Sequence, residues 1–253
     1  MNLEDENIEL KRKLSIAKSW MEKEFKKELK NISREKIELL SIGDRNNFFS
    51  KNVEEIISTS IDSFFWEFMI LNTPKIVIEN IISAEVLFYN QRQNKFSDGL
   101  WVISSYHKSS DNIIEESITK PFRKFAIKSG VKLNKNDPLE KTLNQVVNSG
   151  YILWISKLFH ILSLIKKGEI LSDYSKSFSD FLEEYKYIKE VLLDENFYLL
   201  LEEIVLSEVL WSKRHIWTIT YEETKRARTI FIWDLKDVNC VIYKLLKMWE
   251  IDV

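Results

Sequence analysis

The residues best suited to chemistry lie in the stretch WSKRHIWTITYEETKRAR, residues 211–228. Arg214 and His215 stand side by side there, just before a helix that we predict to begin at Tyr221. The basic residues Lys213, Arg214, Lys225, Arg226 and Arg228 outnumber the acidic residues Glu222 and Glu223. Fixed positive charge favours a neutral imidazole, which can accept a proton from a 2′-hydroxyl. Arg214 and His215 are therefore the candidate catalytic residues of a metal-independent RNA-cleaving site.

A second basic segment covers residues 120–135 and contains no acidic residue. Arg123, Lys124 and Lys128 share one face of a short helix that we predict to begin at Pro121. Such a face suits contacts with the phosphate backbone and not with base edges. The alternative is that these cations are placed where the C-terminal end of a helix favours positive charge. The candidate RNA-binding residues are Arg123, Lys124, Lys128, Arg226 and Arg228.

Histidine and cysteine are too scarce for the familiar metal and nucleophile motifs. The chain has three His and one Cys, and it lacks Cys/His metal spacing, a glycine-rich phosphate loop and a serine hydrolase elbow. We therefore expect no metal and no cofactor, with a carboxylate-only metal site between facing helices as the open alternative. His160 lies in an apolar run, so we predict a satisfied core residue. Asp111 follows His107 by four residues and is a candidate acidic partner for it, with a solvated surface as the alternative.

Composition predicts a globular protein with no general attraction to nucleic acid or anionic membranes. The 253 residues are 45% hydrophobic, which is enough for a sizeable core. Lys and Arg total 37 against 39 Asp and Glu, so the formal net charge is −2. Any binding of RNA must therefore use a local basic surface.

The sequence also favours a reducing, cytoplasmic location. The single cysteine, Cys240, excludes an internal disulfide and lies in an apolar stretch where a buried thiol is expected. The N-terminal residues lack the basic and apolar regions of a secretory signal. The most apolar stretch, YILWISKLFHILSLI, is shorter than the ~20 residues that span a bilayer and contains Lys157 and His160, so we expect no membrane association.

Few residues interrupt helices, since the chain has only five Gly and three Pro. No long run alternates with period two, so we predict an all-α, multi-helix bundle of about 8–10 helices. Pairs such as Thr73-Pro74, Asp137-Pro138 and Ser172-Asp173 are typical of helix starts. We place the helices near residues 50–71, 74–94, 98–119, 121–129, 138–148, 151–167, 173–193 and 195–211, followed by a last one that begins at Tyr221.

Two amphipathic patterns mark the ends of the chain. The apolar residues Phe231, Leu235, Val238, Ile242, Leu245 and Trp249 predict that the last helix is continuous. Similar spacing at Leu10, Leu14, Ala17, Met21, Phe25, Leu29 and Ile32 predicts a long N-terminal amphipathic helix. We therefore divide the chain into an N-terminal helical segment, residues 1–45, and a helical bundle, residues 46–253.

The stretch HIWTITYEETKRAR resembles the higher-eukaryote and prokaryote nucleotide-binding (HEPN) superfamily, whose members are helical bundles common in bacterial defence and toxin systems. That family carries an Arg, a polar residue and a His just before a helix that opens with a pattern such as T-x-E-E…A-R. The resemblance places His215 at the family's histidine. Residues 83–116 also resemble an earlier helix pair of such proteins, with Tyr106 and Asp111 as the tyrosine and the acid.

The sequence departs from the family at the arginine. In the family the Arg precedes the His by a few residues, where this chain has Leu210 and Trp211, and Arg214 instead lies next to His215. In active members, the resemblance implies, Arg and His from two protomers meet at a dimer interface and cleave RNA without a metal. This chain has half of that pattern, so the resemblance implies a degenerate catalytic motif.

Three functions follow from these observations. The first is a HEPN-like bundle of a prokaryotic defence system, anti-phage or toxin-type, that has lost catalysis and binds RNA or a partner protein of the defence complex. The second is an active metal-independent endoribonuclease that uses His215 and a nearby Arg and is completed by a second copy of the chain as a homodimer. The third is a structural adaptor without a nucleic-acid role, in which the N-terminal helix and exposed tryptophans contact a partner.

Overall fold

A computed structural model describes residues 42–65, 73–131, 140–169, 172–207, 210, 218–232 and 237–249 of the protein. Every element in these ranges is helical, which confirms the predicted all-α bundle. Along the chain the helices are α1 (Ile42–Phe64), α2 (Lys75–Gln93), α3 (Leu100–Ile114), α4 (Lys120–Lys128), α5 (Glu140–Ser149), α6 (Ile155–Lys166), α7 (Asp173–Glu184), α8 (Lys186–Leu192), α9 (Glu195–Leu206), α10 (Tyr221–Ile232) and α11 (Val241–Leu246).

The chain divides into two compact units, Met1–Val53 and Glu54–Val253. The predicted N-terminal amphipathic helix lies outside the described residues. Within the described ranges, none of the helices combines the length and the apolar character that crossing a membrane would require.

Helices α2 and α3 form the central pair of the second unit and are joined by a short turn, residues 94–99. From α2, Val77, Ile81 and Ala84 are fully buried at a spacing of four and three residues. From α3, Ile103 and Tyr106 are equally buried. This spacing places one apolar face of each helix in the core, where the faces bury each other.

Helix α3 continues into α4 through a π-helical turn, Glu115–Thr119. The short helix that we predicted to begin at Pro121 is present as Lys120–Lys128, but it follows α3 without a break. Proline has no backbone N–H and cannot donate to the carbonyl one turn earlier, so it usually breaks a helix. Here the turn is widened: the Lys120 amide donates to the Glu115 carbonyl, five residues back. The two helices therefore act as one element that carries both Tyr106 and Arg123.

Helix α4 packs against α7 through aromatic rings. The ring of Phe122 lies 4.9 Å from Phe178 and 5.7 Å from Phe181, both in edge-on arrangements. All three rings are fully buried. Such contacts favour one orientation of α4 about its own axis, which leaves Lys124 and Lys128 exposed on its other side.

The last predicted helix begins where the sequence indicated but is not continuous. Helix α10 starts at Tyr221, and Glu223 accepts a hydrogen bond from the Thr220 amide at 2.9 Å, as expected of a capping box. The described part of the helix runs to Ile232, residues 237–240 are not helical, and α11 begins at Val241. Between them the Asn239 amide donates to the Asp237 carboxylate at 2.9 Å, a local turn that competes with helix formation. The prediction of one continuous apolar seam was wrong, and Val238 is 51% exposed.

Candidate functional site

A buried polar cluster joins helices α2, α3 and α10 through Glu85, Tyr106 and Arg228. The Arg228 Nε donates to Glu85 Oε1 at 2.8 Å, and its Nη2 donates to Glu85 Oε2 at 2.7 Å. The Tyr106 hydroxyl also donates to Glu85 Oε1. The side chains of Glu85 and Arg228 are only 6% and 10% exposed. This two-pronged pairing is the strongest geometry available to an arginine and a carboxylate, and it fixes three helices relative to one another.

The surroundings of Tyr106 and Arg228 hold each of these two side chains in one protonation state. Burial raises the pKa of the Tyr106 hydroxyl well above its usual range, and the adjacent Glu85 charge raises it further. For Arg228, burial acts to lower the pKa, but the hydrogen bonds and charge of Glu85 outweigh burial and leave the pKa raised. Tyr106 therefore stays a neutral donor and Arg228 stays a cation near neutral pH.

Aromatic rings surround this ion pair. The Arg228 guanidinium lies 4.9 Å from the centre of the Phe88 ring, and Tyr106 stacks on Phe231 at 5.5 Å. Phe88 in turn stacks on Tyr221 at 5.6 Å. Because the Arg228 side chain is only 10% exposed, little of it is accessible to a phosphate. The structure thus places the predicted RNA contact Arg228 in the protein interior, where it holds the fold together.

His107 and Asp111 also lie away from open solvent. The His107 ring is buried, and its Nε2 donates to the Leu210 carbonyl at 3.0 Å, because a carbonyl can only accept. It also meets Phe231 edge-on at 5.0 Å. Asp111 is half-buried and accepts a hydrogen bond from the Ile155 amide at 3.4 Å. Each of these two side chains therefore links α3 to a later segment of the chain.

The stretch that leads into α10 is fixed on the turn between α2 and α3. The Ile219 amide donates to Asp98 Oδ1 at 2.9 Å, and the Ile219 carbonyl accepts from the Gly99 amide at 2.9 Å and from Gln91 Nε2 at 3.3 Å. Ile219 itself is fully buried. The predicted catalytic residues Arg214 and His215 lie outside the described residues, in the sequence between Leu210 and Ile219.

The remaining predicted RNA contacts differ in how they are held. Arg226 is exposed and forms a salt bridge with Glu203 at 3.0 Å. Arg123 is half-buried; its Nε donates to the Val146 carbonyl at 2.7 Å and its Nη2 to the Tyr151 carbonyl at 3.3 Å. Lys124 and Lys128 are exposed. Within the described ranges, no carboxylate lies at salt-bridge distance from either lysine.

Other groups that could carry chemistry are placed as follows. Among the residues that the structure describes, no group of three or more His, Cys, Asp and Glu side chains could hold a metal ion. Burial raises the pKa of the Cys240 thiol to about 12, so the thiolate needed for nucleophilic chemistry is absent at neutral pH. The prediction that His160 is a core residue was wrong: it is exposed on α6, because Leu158, Ile161 and Leu162 occupy the inward face.

No known family model, curated protein or solved structure matches this chain significantly.

Proposed function

We propose that this protein is a non-catalytic, HEPN-like helical module that binds RNA within a prokaryotic defence assembly. The observation that carries this proposal is the distribution of positive charge. Arg226 and Arg228, the arginines of the helix that follows His215, are each paired with a carboxylate. Lys124 and Lys128 are exposed, and no described carboxylate pairs with them.

In the HEPN-like motif an arginine would have to be free to stabilise the charge that develops on the phosphate during RNA cleavage. Arg228 is unsuited to this role because Glu85 and the aromatic rings enclose it. Arg226 would first have to give up its contact with Glu203. Together with the displaced arginine of the HEPN-like motif, this favours binding over catalysis.

The surface suited to phosphates is formed by Arg123, Lys124 and Lys128, which we name the α4 surface. Arg123 is bound only to backbone carbonyls in the described structure, so its positive charge is not neutralised by a carboxylate. Lys120 does not contribute, because it pairs with Glu115 and Glu116 at the π-helical turn. Because the whole chain carries a formal charge of −2, RNA should bind at this surface and not at random positions.

Replacing Lys124 and Lys128 together by alanine should weaken the binding of a single-stranded RNA roughly 10- to 30-fold at 0.1 M salt. For each phosphate contact that is lost, RNA binding releases fewer counterions. The slope of log affinity against log salt concentration should therefore flatten by about 1.4. Fluorescence anisotropy with a labelled RNA over a range of salt concentrations measures both quantities.

The matched control is Lys167→Ala with Lys176→Ala, which removes the same charge from exposed positions near α6 and on α7. This control should bind RNA nearly as well as the wild type. Equal losses in the two double variants would show that only net charge matters and would contradict a local α4 surface. Failure of the wild type to bind RNA at all would overturn the proposed function.

A further inference from the structure

We infer that the α4 surface extends onto the adjoining segment Gly150–Trp154 and that the rings of Tyr151 and Trp154 stack on unpaired RNA bases. This inference depends on the proposed RNA-binding function and adds the class of ligand, single-stranded RNA in preference to a duplex.

The backbone of the segment and of the following Ile155 is hydrogen-bonded to the α3–α4 element at three points. The Tyr151 carbonyl accepts from Arg123 Nη2 at 3.3 Å, and the Leu153 amide donates to Thr119 Oγ1, also at 3.3 Å. The Ile155 amide donates to Asp111 Oδ1 at 3.4 Å. Every second residue from 151 to 155 is thus hydrogen-bonded to an ordered helix. Such a segment has little conformational entropy left to lose when a ligand binds.

The side chains of this segment divide between the core and the solvent. Leu153 is fully buried, whereas Tyr151 and Trp154 are 56% and 49% exposed. Large aromatic rings normally gain stability by burial, so each of these half-exposed rings on a hydrogen-bonded backbone is available to a flat partner. Nucleic-acid bases are such partners, and every base has a face on which a ring can stack.

Positive charge lies next to the backbone of this segment. The guanidinium of Arg123 contacts the Tyr151 backbone, and Lys124 follows Arg123 on the exposed side of α4. Cations next to exposed aromatic rings are the combination that binds single strands, since the cations follow the phosphates while the rings take the bases. An apolar protein partner would have to desolvate the same cations without a counter-charge, which is unfavourable.

We expect the protein to prefer single-stranded RNA because of how bases are arranged in the two forms of RNA. In an A-form duplex the faces of the bases are covered by their neighbours, whereas an unpaired strand can turn its bases outward. Tyr151 and Trp154 should therefore add affinity for single strands only. The α4 surface contacts phosphates, which both forms of RNA possess.

The test compares two double variants in the full chain. Tyr151→Leu/Trp154→Leu removes both rings but keeps apolar bulk, and Tyr151→Phe/Trp154→Phe keeps both rings. The leucine variant should bind a short unstructured RNA at least about 30-fold more weakly than the wild type, and the phenylalanine variant should bind it within about threefold. Affinity for an RNA duplex should be unchanged in both. Thermal unfolding followed by circular dichroism checks that the variants are folded.

Each other outcome has a distinct meaning. If the folded leucine variant binds the single strand as the wild type does, the stacking inference is overturned while the proposed RNA binding stands. The same follows if it loses single-strand and duplex binding equally. If light scattering shows that it changes the oligomeric state with RNA binding unaffected, the rings form a contact between copies of the chain, and the inference is again overturned. If the wild type binds neither RNA, the proposed function itself fails.

Discussion

Replacing Glu85 by alanine is expected to lower the free energy of unfolding by about 3–5 kcal/mol. The change removes the only carboxylate that the structure shows bound to Arg228 among the described residues and leaves a cation in a site that is 10% exposed. It also removes the acceptor that the Tyr106 hydroxyl uses. Urea unfolding followed by circular dichroism measures the loss.

A double variant separates the cost of removing the Glu85 charge from the cost of lost packing. Glu85→Leu with Arg228→Met removes both charges and keeps apolar side chains of similar length, so it should be more stable than Glu85→Ala. Arg228 also packs on Phe88, and methionine can keep part of that contact. A Glu85→Ala protein within about 1 kcal/mol of the wild type would contradict a structural role for the ion pair.

Replacing Gly99 by alanine is expected to lower the free energy of unfolding by about 1–3 kcal/mol. The backbone of Gly99 has φ −79°, which any residue can adopt, so the cost comes from space alone. A Cβ at this position would lie 1.8 Å from Thr224 Oγ1 and 3.0 Å from Gln91 Nε2. Both neighbours lie at the contact between the α2–α3 turn and α10, which the methyl group would force apart.

The second variant Gly99→Ala/Thr224→Ala shows whether this contact is the cause. Removing Thr224 Oγ1 relieves the worst overlap, although the Thr224 Cβ stays at 3.0 Å. The double variant should therefore recover part of the lost stability, despite losing the hydrogen bond from Thr224 to the Thr220 carbonyl. If Gly99→Ala unfolds at the same urea concentration as the wild type, the claim that the turn and α10 leave no room for a methyl group at Gly99 is contradicted.

Helix starts were predictable where the signal is local. Thr220 and Glu223 complete a capping box within four residues, and the helix begins at Tyr221 as the sequence indicated. Helix ends were harder to predict. The apolar spacing through Val238 is compatible with a helix, but the Asp237 carboxylate binds the Asn239 amide and the helix stops before it. At Pro121 the opposite happened, because a π-helical turn accommodates the proline without a break.

The buried ion pair was not predictable from local sequence, because Glu85 and Arg228 are 143 residues apart. One signal was available: Glu85 stands four residues after Ile81, on the apolar face of α2, where a buried charge requires a partner. A second signal was the spacing of Arg226 and Arg228. Two residues apart on a helix, they lie about 200° apart around its axis, so one of them faces the core when the helix packs on the bundle. The sequence does not reveal which of the two faces the core.

The rings of Tyr151 and Trp154 were missed for a related reason. The run YILWISKLFHILSLI is mostly apolar, so we placed all of it in one helix. In the structure α6 begins only at Ile155, and residues 150–154 before it are not helical and are hydrogen-bonded to Arg123 and Thr119. These partners come from a helix that lies earlier in the chain, so only the tertiary fold exposes the rings.

The most direct test of the central claim is to incubate a labelled, structured RNA with purified wild-type protein and with His215→Ala, in buffers containing either EDTA or Mg²⁺. The account predicts that both proteins bind the RNA and that neither cleaves it. Cleavage by the wild type that is lost in His215→Ala would contradict the account and establish the protein as a ribonuclease.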